Sequence, residues 1–431
     1  MKFVVRGGKP LKGEVKLAGA KNAATKLLVA SILSEEPSVL ENFPIIGDTA
    51  ITAGLCEELG SEILKDGNTV SIKTPVIKNT RVGLLTRRNR IPVLALGPLL
   101  ARAGRAEVPV VGGDKIGARP VDIHLEALKK LGAEVTISGA SYEAKAPEGL
   151  RGAEITFRFP SVGATENTLL ASVLAKGKTV MRNAALEPEI MDLIKFLQKM
   201  GAIIELGANR TIYVEGVSRL RGAKHSILPD RNEAVSFACL AVVTGGDIFV
   251  KDAVQEHLIT FLNTLRRIGG DYEVVNGGVR FWRAGKLTPT SIETDTHPGF
   301  MTDWQQPLAI LLTQAEGVSK IHETVYEDRF SYTKDLNLMG ADIIVTTECL
   351  GSLPCRFSGK FPHSATISGP TPLKGMKLEV PDLRAGMAHL TAALIAEGES
   401  EISGVEEIDR GYERIDERLR YLGADIKRID D

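Results

Sequence analysis

Six times along this chain a helix-like segment ends in the same short phrase: an apolar residue, a Gly, usually a small residue, then a strand-like start. The copies are Leu59-Gly60-Ser61-Glu62-Ile63, Leu131-Gly132-Ala133-Glu134-Val135, Met200-Gly201-Ala202-Ile203, Ile268-Gly269-Gly270-Asp271-Tyr272, Met339-Gly340-Ala341-Asp342-Ile343 and Leu422-Gly423-Ala424-Asp425-Ile426. Successive glycines lie 72, 69, 68, 71 and 83 residues apart (60 to 132, 132 to 201, 201 to 269, 269 to 340, 340 to 423). One structural unit of roughly 70 residues therefore recurs six times. At 431 residues the chain exceeds what one hydrophobic core usually serves, and six units divide most simply into two groups of three.

Before each Gly phrase, apolar residues fall at helical spacing, as in Ile123, Leu125, Leu128 and Leu131, or Ile190, Leu193, Phe196, Leu197 and Met200. Gly is the expected stop, because it takes the left-handed conformation without a Cβ penalty. Each unit also holds a second, more continuously apolar helix candidate: 23–33, 91–101, 166–175, 233–243, 306–314 and 385–396. Helices apolar nearly all round belong inside. The expected architecture is α/β, two similar domains, each a threefold set of helix-plus-sheet units with the apolar helices at its centre and the sheets outside. No Gly-rich dinucleotide fingerprint is present.

With 53 Lys plus Arg against 54 Asp plus Glu, nothing pulls the chain toward nucleic acid or an anionic membrane, so an anion site must be local. Cys56, Cys239, Cys349 and Cys355 show neither CxxC spacing nor a nearby His cluster, which argues against zinc and implies no disulfide framework. Cys56 reads as a small buried hydrophobe. Residues 1–17 lack the apolar core of a signal peptide, and no run approaches the roughly 18 apolar residues of a membrane helix. A soluble, reducing, cytoplasmic setting is expected.

The unusual polar residues stand just before, or at the start of, the apolar helices: Lys21-Asn22, Arg90, Ser161-Val162-Gly163, Asp230-Arg231, Asp303 and Asp382-Leu383-Arg384. Helix N-termini carry unpaired backbone donors and partial positive charge, so several aimed at one cleft would hold a polyanion. Capping alone would explain some of them, with Asp303 and Ser161 the candidates. The stretch Gly112 to His124 has three glycines in six positions, with Arg119-Pro120 leading into a helix, and reads as a lid over a ligand. His124 reads as a structural or hydrogen-bonding residue.

The segments Gly19-Ala20-Lys21-Asn22-Ala23-Ala24, Ala95-Leu96-Gly97-Pro98-Leu99, Gly117 to His124, Ser161-Val162-Gly163-Ala164-Thr165, Glu187-Pro188-Glu189-Ile190, Leu228-Pro229-Asp230-Arg231, Asp382-Leu383-Arg384-Ala385 and Ile408 to Ile415 resemble the enolpyruvyl transferase family, most closely its UDP-sugar branch. The resemblance covers nearly the full chain. It implies two inside-out α/β barrel domains of three repeats each, one from residues 1–20 plus 229–431 and one from residues 21–228 carrying a lid loop at 111–120. It also implies transfer of the enolpyruvyl group of phosphoenolpyruvate (PEP) to the sugar 3-hydroxyl of UDP-N-acetylglucosamine with release of phosphate, the first committed step of peptidoglycan synthesis. The implied partners are these two small molecules, with no cofactor, metal, nucleic acid or membrane.

By the same resemblance Lys21, Asn22, Arg119 and Arg384 contact PEP, since guanidinium forks suit phosphate and carboxylate oxygens. Arg90, Arg119, Pro120, Val121, Asp122, Ile123, Ser161, Val162, Asp303 and Val325 match positions that hold the UDP-sugar. Arg329 is a further anion contact. Asp303 is the base near the sugar hydroxyl and Asp114 the general acid, with Lys21 and Arg384 counted in the catalytic set. Two departures stand out. The lid position that is usually Cys is Asp114, which implies insensitivity to fosfomycin, an epoxide that alkylates a thiolate. Phe159-Pro160 replaces a commoner Lys-Val and removes one cation from the diphosphate side. Competing readings are the shikimate 3-phosphate relative of the same fold and a non-catalytic UDP-sugar-binding paralogue. An open-to-closed motion of the two domains, ordering the Asp114 loop, is expected of an enzyme.

Overall fold

The computed structural model of the chain describes residues 1–83, 90–110, 117, 120–353 and 360–430. Residues 115–119 apart, the chain divides into two compact units, one from Met1–Ala18 and the chain from Pro229 onward, the other from the intervening chain between Gly19 and Leu228. Each has a hydrophobic core of its own.

All six phrase glycines have positive φ, between +94° and +113°. Just beyond the glycine, the amides of Ser61, Ala133, Ala202, Ala341 and Ala424 return to the carbonyls of Cys56, Leu128, Leu197, Leu336 and Leu419 at 2.9–3.0 Å. This closes a helix C-terminus by satisfying carbonyls the helix itself leaves bare. The small residue after the Gly is thus the donor that seals the helix, and the strand starts directly after it.

The continuously apolar helices are Lys21–Ala30, Leu96–Ala103 and Val162–Ser172 in one unit, and Arg231–Val243, Gln305–Leu312 and Leu383–Ile395 in the other. All thirteen residues of Arg231–Val243 and all eight of Gln305–Leu312 are buried. Five of the six begin with, or within two residues of, the polar residues that the apolar pattern had set ahead of them, and Leu96–Ala103 begins after Arg90 and the 3-10 segment Ile91–Ala95. Sequence hydrophobicity sees the core-facing body of a helix, whereas its first turn is chosen by capping. Ser161 does cap its helix, accepting from the Ala164 amide at 3.3 Å. Asp303 does not: it lies in the 3-10 turn Thr302–Trp304, and no side chain caps that turn or the helix after it. The aspartates that cap are Asp230, on the Asn232 amide at 2.7 Å, and Asp382, on the Arg384 amide at 2.9 Å.

Around each set of helices stand three sheets of one plan. The strand that follows a buried helix pairs with a short parallel edge strand on one side and, on the other, with an antiparallel pair of strands that is a hairpin everywhere but in the sheet of Glu399–Ser403. Two strands are borrowed from the N-terminus. Lys2–Arg6 lies antiparallel between Glu399–Ser403 and Asp425–Ile429, with Lys2 opposite both Ser403 and Ile429. Lys12–Lys16 runs parallel to Asp247–Lys251. In the other unit Lys224–Ser226 closes the set by joining Ser38–Glu41. The sheet of Arg105–Pro109 has three strands, with the bridge Arg81 to Glu107 where the others have a parallel edge strand.

Cys56 and Cys239 are buried free thiols. Cys349 is disulfide-bonded, a link the cysteine spacing did not announce. Among the described residues no helix is long and apolar enough to cross a membrane.

A Cβ at Gly201 would meet nothing within 4 Å but would sit at φ +103°, whereas a Cβ at Gly269 would come within 2.3 Å of the Lys286 carbonyl oxygen. Gly201→Ala is therefore expected to cost about 1–2 kcal/mol from backbone conformation alone. Gly269→Ala is expected to cost clearly more and Gly201→Asn less than either, read as ordered shifts in thermal midpoint.

Candidate active site

In the unit containing Pro229, chemistry concentrates on one carboxylate. Asp303 is the acceptor for Arg329, whose Nη2 donates to Oδ1, and for Arg384, whose Nη2 donates to Oδ2 at 3.0 Å. Both guanidinium groups are buried. Burial alone would weaken the charge on Arg384, but Asp303, Tyr412 and Asp230 outweigh it and hold the group well above the ordinary arginine range. Arg329 is raised in the same way, against its own burial, by Asp303, Asp382 and Glu323. Arg384 also donates to the Tyr412 hydroxyl at 3.3 Å, itself 2.9 Å from the Ser236 hydroxyl. Two cations fixed around one anion make a site that can exchange that anion for a phosphate or carboxylate of a ligand.

The local sequence explains the convergence. Arg384 lies in the first helical turn after the capping Asp382, so its direction is set by the cap. Asp303 sits one turn ahead of the helix Gln305–Leu312. Arg329 follows the strand Gly317–His322 and the turn containing Val325, which is half-buried with its amide on Glu323 Oε1 at 2.7 Å.

In the unit containing Gly19, Lys21 opens its helix and its ammonium donates to Asp48 at 2.8 Å, both side chains being nearly buried. Asn22 is half-buried beside it in the same turn. Ser161 and Val162 stand at the start of another buried helix, and Arg90 immediately precedes the 3-10 turn Ile91–Ala95. Pro120 is exposed and Val121 buried; Asp122 opens the helix Asp122–Lys130, with its Oδ1 on the Ile123 amide at 2.9 Å and its Oδ2 paired to Arg158. Asp114 and Arg119 lie outside the described residues.

His124 is buried, and its pKa falls to about 3 because burial and the charge of Arg90 outweigh Asp122. It stays a neutral hydrogen-bonding ring, with Nδ1 3.4 Å from the Asn167 amide nitrogen. A Cβ on Gly163 would come within 2.9 Å of that ring, so only glycine fits there. Nearby, burial pushes the Glu166 carboxyl up to about 7, with Lys26, 3.9 Å away, opposing and Glu189 and Glu187 adding to the rise. Among the described residues no group of three His, Cys, Asp or Glu side chains is placed to hold a metal ion.

Sequence reasoning missed Asp48, Arg158 and Glu323. Asp48 is far from Lys21 in the chain and carries no motif. Arg158 stands one position before Phe159, where the departure at 159–160 had drawn attention to a lost cation. Glu323 follows the strand Gly317–His322 and carries no signal until the turn it binds is seen.

The chain matches the family described as EPSP synthase (3-phosphoshikimate 1-carboxyvinyltransferase) over residues 5–419. Similar proteins named UDP-N-acetylglucosamine 1-carboxyvinyltransferase come from Protochlamydia amoebophila, 48% identical over 99% of this chain and 94% of that one; from Chlamydia pneumoniae, 51% identical over 97% and 93%; and from Azorhizobium caulinodans, 42% identical over 99% of both. Among solved structures, the enolpyruvyl transferase NikO from Streptomyces tendae superposes with a TM-score of 0.87 at 24% identity, covering 99% of this chain and 98% of that one. An EPSP synthase from Acinetobacter baumannii gives 0.75 at 18%, covering 99% of both. These two structures share the fold: two inside-out α/β units with three helix-plus-sheet repeats apiece. The chain belongs to the enolpyruvyl transferase family typified by EPSP synthase.

Proposed function

We propose that this chain transfers the enolpyruvyl group of phosphoenolpyruvate to the 3-hydroxyl of UDP-N-acetylglucosamine, releasing phosphate, as the first committed step of peptidoglycan synthesis. The observation that carries the reading is near-full-length identity of 42–51% to proteins that bear that activity as their name. The Asp303, Arg329 and Arg384 cluster supplies chemistry the reaction requires. Segments 1–20 with 229–431, and 21–228, are proposed as its two domains, a division in keeping with the two separate cores except that Ala20 packs in the core of the second.

In this reading Lys21, Asn22, Arg119 and Arg384 take the PEP phosphate and carboxylate. Arg90, residues 119–123, Ser161, Val162, Asp303 and Val325 hold the UDP-sugar, and Arg329 is a further anion contact. The Asp114 carboxyl gives its proton to the PEP methylene, which makes C2 electrophilic. The sugar 3-hydroxyl adds to C2 as its proton passes to Asp303. In the tetrahedral intermediate the Asp114 carboxylate takes back a proton from the new methyl group as phosphate leaves, restoring the double bond. Asp303 suits this role because a ligand anion that engages Arg384 or Arg329 withdraws a cation from it, leaving a freer carboxylate to accept the proton.

The proposed setting is the cytoplasm, where UDP-sugars and PEP are made. The free thiols Cys56 and Cys239 agree with it, while the disulfide at Cys349 is a bond a reducing compartment would open. A second reading, transfer to shikimate 3-phosphate, is favoured by the family description and disfavoured by the names of the more similar relatives.

Phosphate release from PEP is expected with UDP-N-acetylglucosamine and not with shikimate 3-phosphate; the opposite result overturns the assignment, and binding of the UDP-sugar without release would identify a non-catalytic paralogue. Asp303→Asn is expected to lower kcat by about 10²–10⁴. Asp114→Asn should retain UDP-sugar binding while losing most turnover. Fosfomycin should leave the wild-type enzyme active and unmodified by mass, whereas rapid inactivation with an adduct at the lid contradicts the role given to Asp114.

A further inference from the structure

Glu323 is 1% exposed, and its two carboxylate oxygens face in different directions. Oε1 accepts from the amides of Val325 at 2.7 Å and Tyr326 at 3.0 Å. Oε2 accepts from the Thr302 hydroxyl at 2.9 Å and from the Gln305 side-chain nitrogen at 2.5 Å. The orientation of Gln305 is set by Tyr332, whose hydroxyl donates to the amide oxygen at 3.2 Å. Backbone bonds fix the approach: the Glu323 amide donates to the His363 carbonyl at 2.7 Å and the Thr324 amide to the Thr294 hydroxyl at 2.9 Å. Thr302 and Gln305 are the near neighbours of Asp303, and Val325 opens the turn that leads to Arg329. The adjacent Gln306 takes the Nε of Arg329 at 2.8 Å in the amide orientation that satisfies both of its ends.

We propose that Glu323 is a positioning residue for the reaction given above: one buried carboxylate ties the turn bearing Val325 and Arg329 to the turn bearing Asp303, and so sets the UDP-sugar side of the site. The inference rests on that functional reading and adds a residue that touches neither substrate. Four donors on two oxygens saturate the carboxylate, a pattern that only the ionised form completes. Burial works against that charge and pushes the carboxyl up, while Arg329 and the hydrogen bonds from Val325, Tyr326 and Thr302 oppose the push. An uncharged side chain would serve packing alone better than a buried anion. Glutamine has the same shape but one acceptor oxygen, and its NH2 would face either the two backbone amides or the donors on Thr302 and Gln305.

The test compares the full-length wild type with Glu323→Gln in the phosphate-release assay, varying each substrate in turn. Hydrogen bonds to a charged group are lost, so the KM for UDP-N-acetylglucosamine is expected to rise about tenfold or more, with the KM for PEP within about twofold and the thermal midpoint near wild type. Thr302→Val removes one donor and leaves the charge, and is expected to move the same constant in the same direction by about two- to threefold. It carries the test if Glu323→Gln does not fold. A rise in both KM values together with a fall in the folded fraction, or an unchanged KM for the UDP-sugar in an active enzyme, overturns the inference. A wild-type enzyme that releases no phosphate with this acceptor overturns the functional reading, and with it the role of Glu323 in that reaction.

Discussion

A helix buried on every side meets charged and solvent-borne groups chiefly at its ends, and this constraint organises each unit of the chain. Arg231–Val243 and Gln305–Leu312 have no exposed residue, so their first turns are the places where an ion or a hydrogen-bonding group can stand without entering apolar surroundings. Their C-terminal ends run on instead into the strands that wall the core. The polar residues that draw attention in the sequence, from Lys21 to Arg384, collect at helix starts for this reason.

Charges placed there are expensive to keep. Arg329 and Arg384 are buried, and burial alone would weaken both guanidinium charges. Asp303 offsets this by pairing with both. Removing one member would leave an uncompensated buried charge, which is far less favourable than the intact set. A ligand phosphate or carboxylate would meet the same two cations that Asp303 now holds, which is the anion chemistry the proposed function asks of them. Lys21 with Asp48 repeats the principle on a smaller scale.

The layer behind the charges is neutral or saturated. Asp230 and Asp382 are occupied with helix amides, Tyr412 with Arg384 and Ser236, and Glu323 with four donors. In the other unit His124, likewise, is held neutral by burial. Groups so fully engaged have little freedom to move, which is how a site built on short turns keeps its geometry.

Local chemistry settled much of this from sequence alone. The six glycines, each followed by a strand, needed only the left-handed preference of that residue and the 3.6-residue period, and all six occupy positive φ. The apolar helices were visible because burial demands continuous hydrophobicity. Lys21, Asp303, Arg329 and Arg384 were visible as charged residues in helix-start contexts or in motifs. Tertiary structure alone decided the pairings across large sequence separations: Asp303 with Arg384, 81 residues away, Lys21 with Asp48, and the strand Lys2–Arg6 seated against the C-terminal strand Asp425–Ile429. It also decided that Asp303 is a counter-ion and not a helix cap, and that Glu323 binds two turns at once. No local pattern carries such information, because a hydrogen bond between distant residues depends on where the whole chain places them, and periodicity reports only which face of an element is buried.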